Sequence, residues 1–219
     1  MALPAEPTLD HLVYGVTDLP AAVERIADAT GVAPVEGGRH LGRGTRNFLA
    51  GFTPTAYLEI IALDAEHPTA AGTAVPFGVD RLREDRLIAW AVHPSGAAAA
   101  AAESRRLGAD HGDLRGMSRL TTSGATLDWR LALAEPDAAG ALPWGGVAPF
   151  IIDWGATRHP AADLPRLRLA GFMLVTPDVT ALRQLLGAVG ATSDPPPSMV
   201  AGPAGLRAII AGPRGELEL

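Results

Sequence analysis

The sequence contains neither cysteine nor lysine, so each of its 18 basic residues is an arginine. Without cysteine, disulfides, thiolate metal ligands and cysteine nucleophiles are all excluded. Arginine in place of lysine, with abundant alanine, glycine and proline, is typical of coding bias in a GC-rich bacterial genome. The formal net charge is -6 and no long basic run occurs, which argues against a nucleic acid as partner.

Long hydrophobic runs are also missing. The longest run of small apolar residues, Ala97 to Ala102, is far shorter than the ~20 residues that cross a bilayer as a helix. Residues 1–6 lack the basic segment and apolar core of a signal peptide. We therefore expect a cytoplasmic protein with no membrane partner. Its 219 residues, 47% of them hydrophobic, are enough for a substantial globular core.

What the chain does contain is a recurring order of elements. Residues 9–16 (LDHLVYGV) alternate as in a strand, and Thr17 or Asp18 offers an N-cap for a helix that runs to Gly31. A glycine-rich turn at 37–40 and strands at 45–51 and 56–63 follow. The order strand, helix, strands begins again at Leu87 and at Leu167. We predict a first βαβββ module (1–64), a linker (65–85), a second module-like segment (86–158) and a third, shorter βαβββ module (159–219).

The outer copies can be compared by counting. Aligning the two helix starts places Gly171 opposite His11, and 48 positions separate His11 from Glu59, while 47 separate Gly171 from Glu218. The segments YLEI (57–60) and ELEL (216–219) are also alike. The count favours a true repeat with Glu218, or less favourably Glu216, as the counterpart of Glu59.

Several segments together resemble a known family: LDHLVYGVTDLPAAV, GGRHLGRGTRNFL, AYLEIIA and PFIIDWG followed by RHP. They resemble the glyoxalase-like domain family of the vicinal oxygen chelate (glyoxalase/bleomycin resistance/dioxygenase) superfamily. The resemblance implies an α+β fold of repeated βαβββ modules, whose curved mixed sheets surround a cup-shaped cleft. Proteins of this kind include several enzymes and some pure binders, so the fold alone does not establish a reaction.

The resemblance also implies a metal site on the first and last strands of paired modules. His11 matches the first-strand histidine and Glu59 the last-strand carboxylate, with Glu218 as a tentative third ligand for one divalent ion such as Zn, Mn, Fe or Ni. The second module offers no histidine at the matching place on residues 87–90. Without a metal, His11 and Glu59 would act as a catalytic acid–base pair. The alternative for His11 is a half-buried histidine bonded to its neighbours.

The loop from Gly37 to Asn47 is the richest polar segment. Arginine forks suit carboxylate or phosphate, and His40 and Asn47 can donate and accept. Trp154 could form an aromatic wall with His159 beside it, although strand-end packing is the alternative. We therefore expect a small-molecule ligand to contact the residues Arg39, His40, Arg46, Asn47, Trp154 and His159.

Two functions that involve a small molecule remain open, and a repeat scaffold without a ligand is a third possibility, against which the polar glycine-rich loop argues. One is a small-molecule enzyme of lyase, isomerase or oxygenase (dioxygenase) type, which acts on an oxygen-rich metabolite in the cup with or without a metal. The other is a metal-free protein of bleomycin-resistance type, which binds and sequesters its ligand. Modules of this kind often pair, and an odd number of three favours pairing between chains, so we also expect a homodimer.

Overall fold

The computed structural model describes residues 7–40, 42–120 and 126–219. In these ranges the strands form a closed eight-stranded barrel and a separate four-stranded sheet. The predicted fold class, α+β with βαβββ modules whose curved sheet encloses a cleft, is confirmed. Residues 1–6, where no signal peptide was predicted, lie outside the described residues. So does Leu41 in the polar loop.

The first module has the predicted order of elements. Asp18 caps its helix, since the carboxylate accepts the N–H of Ala21 at 3.0 Å, and Gly31 ends it in the left-handed conformation (φ 76°). The residues at 37–40 belong to a strand rather than to the turn predicted there, because this segment pairs with the strand Thr45–Thr53. The elements are β1 (Leu9–Gly15), α1 (Leu19–Thr30), β2 (Val35–His40), β3 (Thr45–Thr53) and β4 (Ala56–Leu63).

The second module repeats this order with longer loops. Two 3-10 helices, Pro76–Arg81 and Pro143–Gly146, lie in the loops before its first and last strands. Arg81 donates to the backbone oxygen of Asp137 at 2.6 Å, so the two loops are held together. The elements are β5 (Arg86–Val92), α2 (Ala97–Arg106), β6 (Arg115–Leu120), β7 (Thr126–Ala132) and β8 (Phe150–Asp153).

These two modules pair within one chain. The strands follow one another around the barrel in the order β1-β4-β3-β2-β6-β7-β8-β5. In each module the first and last strands are parallel, as β1 is to β4 and β5 is to β8, and the two first strands run antiparallel to each other. The interior of the barrel is therefore lined by residues of both modules.

The third segment has the predicted order of elements but pairs its strands differently. It consists of β9 (Arg168–Thr176), α3 (Val179–Val189), β10 (Ser198–Ala201), β11 (Gly205–Gly212) and β12 (Gly215–Glu218). Here the first strand lies between β10 and β11, and the last strand is at the edge. Glu218 thus pairs with Ile209 rather than with the strand of Gly171, unlike Glu59, whose strand pairs directly with that of His11.

Two hydrophobic cores hold the elements in place. The larger lies outside the barrel wall, where the helices and the four-stranded sheet pack on β1 and β5. The ring centroids of Trp90 and Phe172 are 5.2 Å apart in this core. The smaller core fills part of the barrel interior with Val13, Ile61 and Phe150. Among the described residues no helix is long and apolar enough to cross a membrane.

Candidate functional site

A cavity of about 250 Å³ lies inside the barrel. Its polar lining comes mainly from the first module, and its apolar lining from the second module and the two long loops. The polar residues are His11, His40, Arg43, Asn47, Glu59, Arg115 and Glu135, and Trp154 belongs to the wall. The two residues predicted to be catalytic, His11 and Glu59, thus face one space.

A bulge in β1 shapes the floor of this cavity. Leu9 pairs with Val92 and His11 pairs with Ala91, so two steps along β1 match one step along β5. In a regular strand neighbouring side chains point to opposite faces, and a bulge redirects one of them. Asp10 and His11 can therefore bond to each other: His11 Nδ1 donates to Asp10 Oδ1 at 2.6 Å, with both residues buried.

The carboxylate of Asp10 accepts from three further side chains. His93 Nδ1, Trp154 Nε1 and His159 Nε2 lie 3.0, 2.8 and 3.0 Å from its Oδ2. Complete burial acts to raise the pKa of Asp10, but the hydrogen bonds from His11, His159 and His93 outweigh burial and hold that pKa well below its usual value. Asp10 is therefore an ionised acceptor, and His11 must carry its proton on Nδ1 to donate to it.

The second nitrogen of His11 faces the cavity. Its Nε2 lies 3.8 Å from Glu59 Oε2. The ring is fixed from both sides, because Tyr57 stacks on it with ring centroids 4.7 Å apart and Phe150 meets it edge-on at 5.3 Å. In a neutral imidazole whose Nδ1 is protonated, Nε2 holds the lone pair. The arrangement therefore presents an oriented base to the cavity.

Glu59 is buried on β4 and has its own partners. Asn47 Nδ2 donates to its Oε1 at 2.6 Å, and His40 Nε2 lies 3.8 Å from the same oxygen. His40 Nδ1 in turn lies 2.9 Å from the hydroxyl of Thr45. The structure thus brings His40 and Asn47, both predicted to bind substrate, to the carboxylate that the sequence predicted to be catalytic.

Other predicted residues lie away from the cavity lining. Arg39 donates to Asp64 and Glu66 at 2.7 and 2.6 Å, and Arg46 donates to Glu36 at 2.9 Å. These guanidinium groups are engaged by carboxylates of the protein because Arg39 on β2 and Arg46 on β3 lie on paired strands and face neighbouring acidic side chains. The tentative metal ligand Glu218 lies at the edge of the other sheet, exposed and 3.3 Å from Arg207, because the third segment pairs its strands differently.

Trp154 and His159 act together, although not as a simple wall. Trp154 lines the cavity, while His159 lies behind it against Tyr57, with ring centroids 5.8 Å apart. Both donate to Asp10. Their main contact is therefore with the partner of His11.

Sequence reasoning missed Asp10, His93 and Tyr57. The signal for Asp10 was available, because a carboxylate beside a histidine in an apolar strand needs a partner once it is buried. His93 follows β5 directly, and its approach to Asp10 depends on the antiparallel pairing of β1 with β5. Arg43 belongs to the polar loop whose arginine forks suggested an anion, and it does line the cavity; Arg115, which also lines the cavity, carried no signal in the sequence.

Two groups of described residues bring three possible metal ligands within 4.8 Å of one another: Asp10, His93 and His159, and Asp64, Glu66 and His67. In the first group, the N–H of Ala161 donates to His159 Nδ1 at 3.1 Å, so the ring proton is on Nε2 and no lone pair faces Asp10. In the second group, the guanidinium of Arg39 already lies on both carboxylates.

The four-ligand centre that the resemblance implies does not fit the barrel interior. On β5 and β8 the interior positions are apolar, namely Ala89, Ala91, Phe150 and Ile152. His11, His40 and Glu59 are donors of suitable chemical type. Each histidine faces a different oxygen of Glu59 at 3.8 Å, however, and all three residues come from one module. We derive no reaction step through a metal.

Comparison with known proteins agrees with this architecture. The model of the glyoxalase-like domain family matches residues 9–190. The chain belongs to the glyoxalase-like domain family. It is therefore a member of the vicinal oxygen chelate superfamily, as the sequence predicted. The match covers the barrel and ends after α3, so β10, β11 and β12 lie beyond it. A search of curated proteins found no match.

Solved structures of low sequence identity are similar to this glyoxalase-like chain to different degrees. A hypothetical protein from Staphylococcus aureus has a TM-score of 0.58 at 14% identity, over 96% of this chain and 83% of that one. A variant of methylmalonyl-CoA epimerase from Streptomyces coelicolor, solved with 2-nitronate-propionyl-CoA, has a TM-score of 0.41 at 20% identity, over 71% and 100%. The Mn(II)-bound glyoxalase from Novosphingobium aromaticivorans has 0.46 at 13%, over 91% and 63%. The likeness to the Staphylococcus aureus protein supports the fold.

Proposed function

We propose that the cavity is the active site of an isomerase-type enzyme that moves a proton on a small, oxygen-rich metabolite. One observation carries the proposal: His11 is bonded to Asp10 through Nδ1 at 2.6 Å and faces Glu59 through Nε2 at 3.8 Å, at the floor of a cavity. A histidine held by a buried carboxylate in this way is suited to general base catalysis.

The reaction follows from these groups. His11 Nε2 removes a proton from a carbon next to a carbonyl, and ionised Asp10 stabilises the imidazolium that forms. The electron pair of the broken C–H bond moves to the carbonyl oxygen. Asn47 and His40, which contact Glu59 in the cavity lining, are the groups that would donate hydrogen bonds to this oxygen. A proton then returns, from His11 or through Glu59, to the atom next to the carbon that lost one. The product is an isomer of the substrate, with no net gain or loss of atoms.

Exchange with deuterated water tests this proposal without knowledge of the natural substrate. Small α-hydroxyketones and α-keto acids are incubated with the protein in D2O, and deuterium at the carbon next to the carbonyl is followed by NMR. We expect exchange in the wild type and a loss of at least about 100-fold in His11→Ala, the scale of general base catalysis. His67→Ala changes an exposed histidine outside the cavity and serves as control. Equal exchange in wild type and His11→Ala would refute the proposal.

The apolar interior of the second module favours a second candidate. Leu131, Phe150 and Ile152 line the cavity and offer surface for binding but no group for chemistry. A protein that only binds and sequesters its ligand, of bleomycin-resistance type, would use this surface. It would bind compounds of the panel tightly while the wild type exchanged no deuterium into any of them.

A divalent metal at His11 and Glu59 is the competing form of the enzyme proposal. His11 Nε2 cannot serve as a metal ligand and as a free base at the same time, so the two forms exclude each other. Metal content after purification, followed by titration with Mn, Fe, Zn and Ni, separates them. Tight binding of a metal that His11→Ala abolishes would favour the metal form. We expect no tight binding of any of the four metals. The homodimer and the cytoplasmic location stay predictions from the sequence.

A further inference from the structure

Two arginines at the cavity have no carboxylate partner among the described residues. Arg39 and Arg46, their neighbours on β2 and β3, are paired with Asp64 and Glu36. Arg43, in the turn between those strands, donates only to the sulfur of Met117 at 3.6 Å. Arg115, at the start of β6, has no ion pair in the described part of the chain. Both arginines line the cavity.

Much of the cavity wall is apolar. Phe77 from the first long loop and Leu131, Phe150 and Ile152 from the second module contribute to it. Arg43 is half-buried and Arg115 is exposed, and a guanidinium group without a carboxylate partner can form charge-assisted hydrogen bonds with an anion. An apolar molecule gains from the remainder of the wall. The lining therefore suits a ligand with two parts: an anionic group that Arg43 and Arg115 can bind, and an apolar body that can pack on residues such as Phe150.

Size and charge narrow the ligand further. At about 250 Å³ the cavity is slightly smaller than the sites of ~300–1,000 Å³ that hold drug-sized ligands. Two carboxylates, Glu59 and the exposed Glu135, share the lining with the two arginines, so formal charges of the lining nearly balance. A group with a single negative charge suits this balance better than a dianionic phosphate.

We propose that the ligand is a small organic monocarboxylate with an apolar body. Its carboxylate bonds to Arg43 and Arg115, and its body lies against Phe77 and Phe150. The position of its reacting carbon beside His11 rests on the function proposed above, whereas the preference for a carboxylate does not. Selectivity for charge is thus set by residues other than the proposed base.

Binding of matched probes tests the inference. We would titrate the full chain with 4-phenylbutyrate, its amide and 4-phenylbutylamine, which share one body and differ in the charge of the end group, and with phenyl phosphate as a dianion. Isothermal titration calorimetry at low salt gives each Kd. We expect 4-phenylbutyrate to bind at least about tenfold more tightly than its amide, since a hydrogen bond to a charged group contributes ~1.5–3 kcal/mol.

Variants locate the effect. Arg43→Gln and Arg115→Gln should each weaken binding of 4-phenylbutyrate about tenfold and leave the amide nearly unchanged. Arg183→Gln removes an exposed arginine on α3 and is the matched control. Equal binding of carboxylate and amide, preference for phenyl phosphate or the amine, binding of no probe, or an unchanged carboxylate Kd in both variants would overturn the inference. These outcomes leave the exchange test of His11 unaffected, so failure of one proposal is distinguishable from failure of the other.

Discussion

Replacing Asp10 by asparagine should expose how strongly the site depends on one buried charge. The carboxylate has no exposed surface and accepts four N–H groups, from His11, His93, Trp154 and His159. An amide has one acceptor oxygen, and its NH2 group would face donors instead of accepting from them. Removal of one partner from a buried charged cluster costs about 3–5 kcal/mol. We expect a loss of that size in the free energy of unfolding near neutral pH.

The stabilisation that Asp10→Asn removes should depend on pH with a definite sign. The folded-state pKa of Asp10 lies below the value of ~3.9 in an unfolded chain, so its stabilisation is complete above that value. It is lost as the pH falls through the folded-state pKa, by at most about 1.4 kcal/mol per pH unit. The difference in unfolding free energy between wild type and Asp10→Asn should therefore narrow between pH 5 and pH 3.

Urea unfolding followed by circular dichroism at several pH values measures both effects. Asp163→Asn, which removes an exposed ion pair with Arg158, is the control and should cost less than about 1 kcal/mol. A difference between wild type and Asp10→Asn that stays constant or widens from pH 5 to pH 3 would show that Asp10 is not the ionised acceptor. The assignment of the proton to His11 Nδ1 would then fail with it.

Two further predictions concern stability away from the cavity. Burial lowers the pKa of His111 to about 4, whereas the pKa of histidine in an unfolded chain is ~6.5. Between these two values the unfolded chain binds more protons than the folded protein, so stability falls as the pH drops from ~6.5 towards about 4. From pH 8 to pH 5, urea unfolding should show the wild type losing about 2 kcal/mol more than His111→Leu; equal losses would contradict this. Gly146 and Gly112 both have positive φ. A Cβ added at Gly146 would lie 2.2 Å from the backbone oxygen of Ile88, whereas a Cβ added at Gly112 would lie in open space. Gly112→Ala should cost the ~1–2 kcal/mol of backbone strain alone and Gly146→Ala clearly more, as compared by thermal unfolding.

Much of the fold was accessible from the sequence because its signals are local. Strand alternation, the Asp18 cap and the glycine at the end of α1 depend on neighbours in the chain. The pairing of the third segment is not local. The count from Gly171 to Glu218 resembled that from His11 to Glu59, yet spacing does not determine strand order, and the two pairs of strands differ.

The candidate site shows the same division. His11 and Glu59 were predicted as a pair because their strands follow the family pattern, and the structure brings them to 3.8 Å. The contact of Asp10 with His11 depends on a bulge, which alternation in the sequence does not reveal. The segment 65–85 was predicted to be a linker, yet Phe77 from it lines the cavity. Loop contacts of this kind depend on how the barrel closes.

The hydrogen bonds of Asp10 also have a consequence for how the protein acquires its site. Asp10 belongs to the first module, whereas His93, Trp154 and His159 are 83, 144 and 149 positions away along the chain. An isolated first module would contain both His11 and Glu59 without three of the donors that hold the base in place. Such long-range contacts form only after both modules have come together, and closing long loops slows folding. A nascent or truncated chain would thus hold the reactive residues in an inactive arrangement, and competence would arise in one step when the barrel closes.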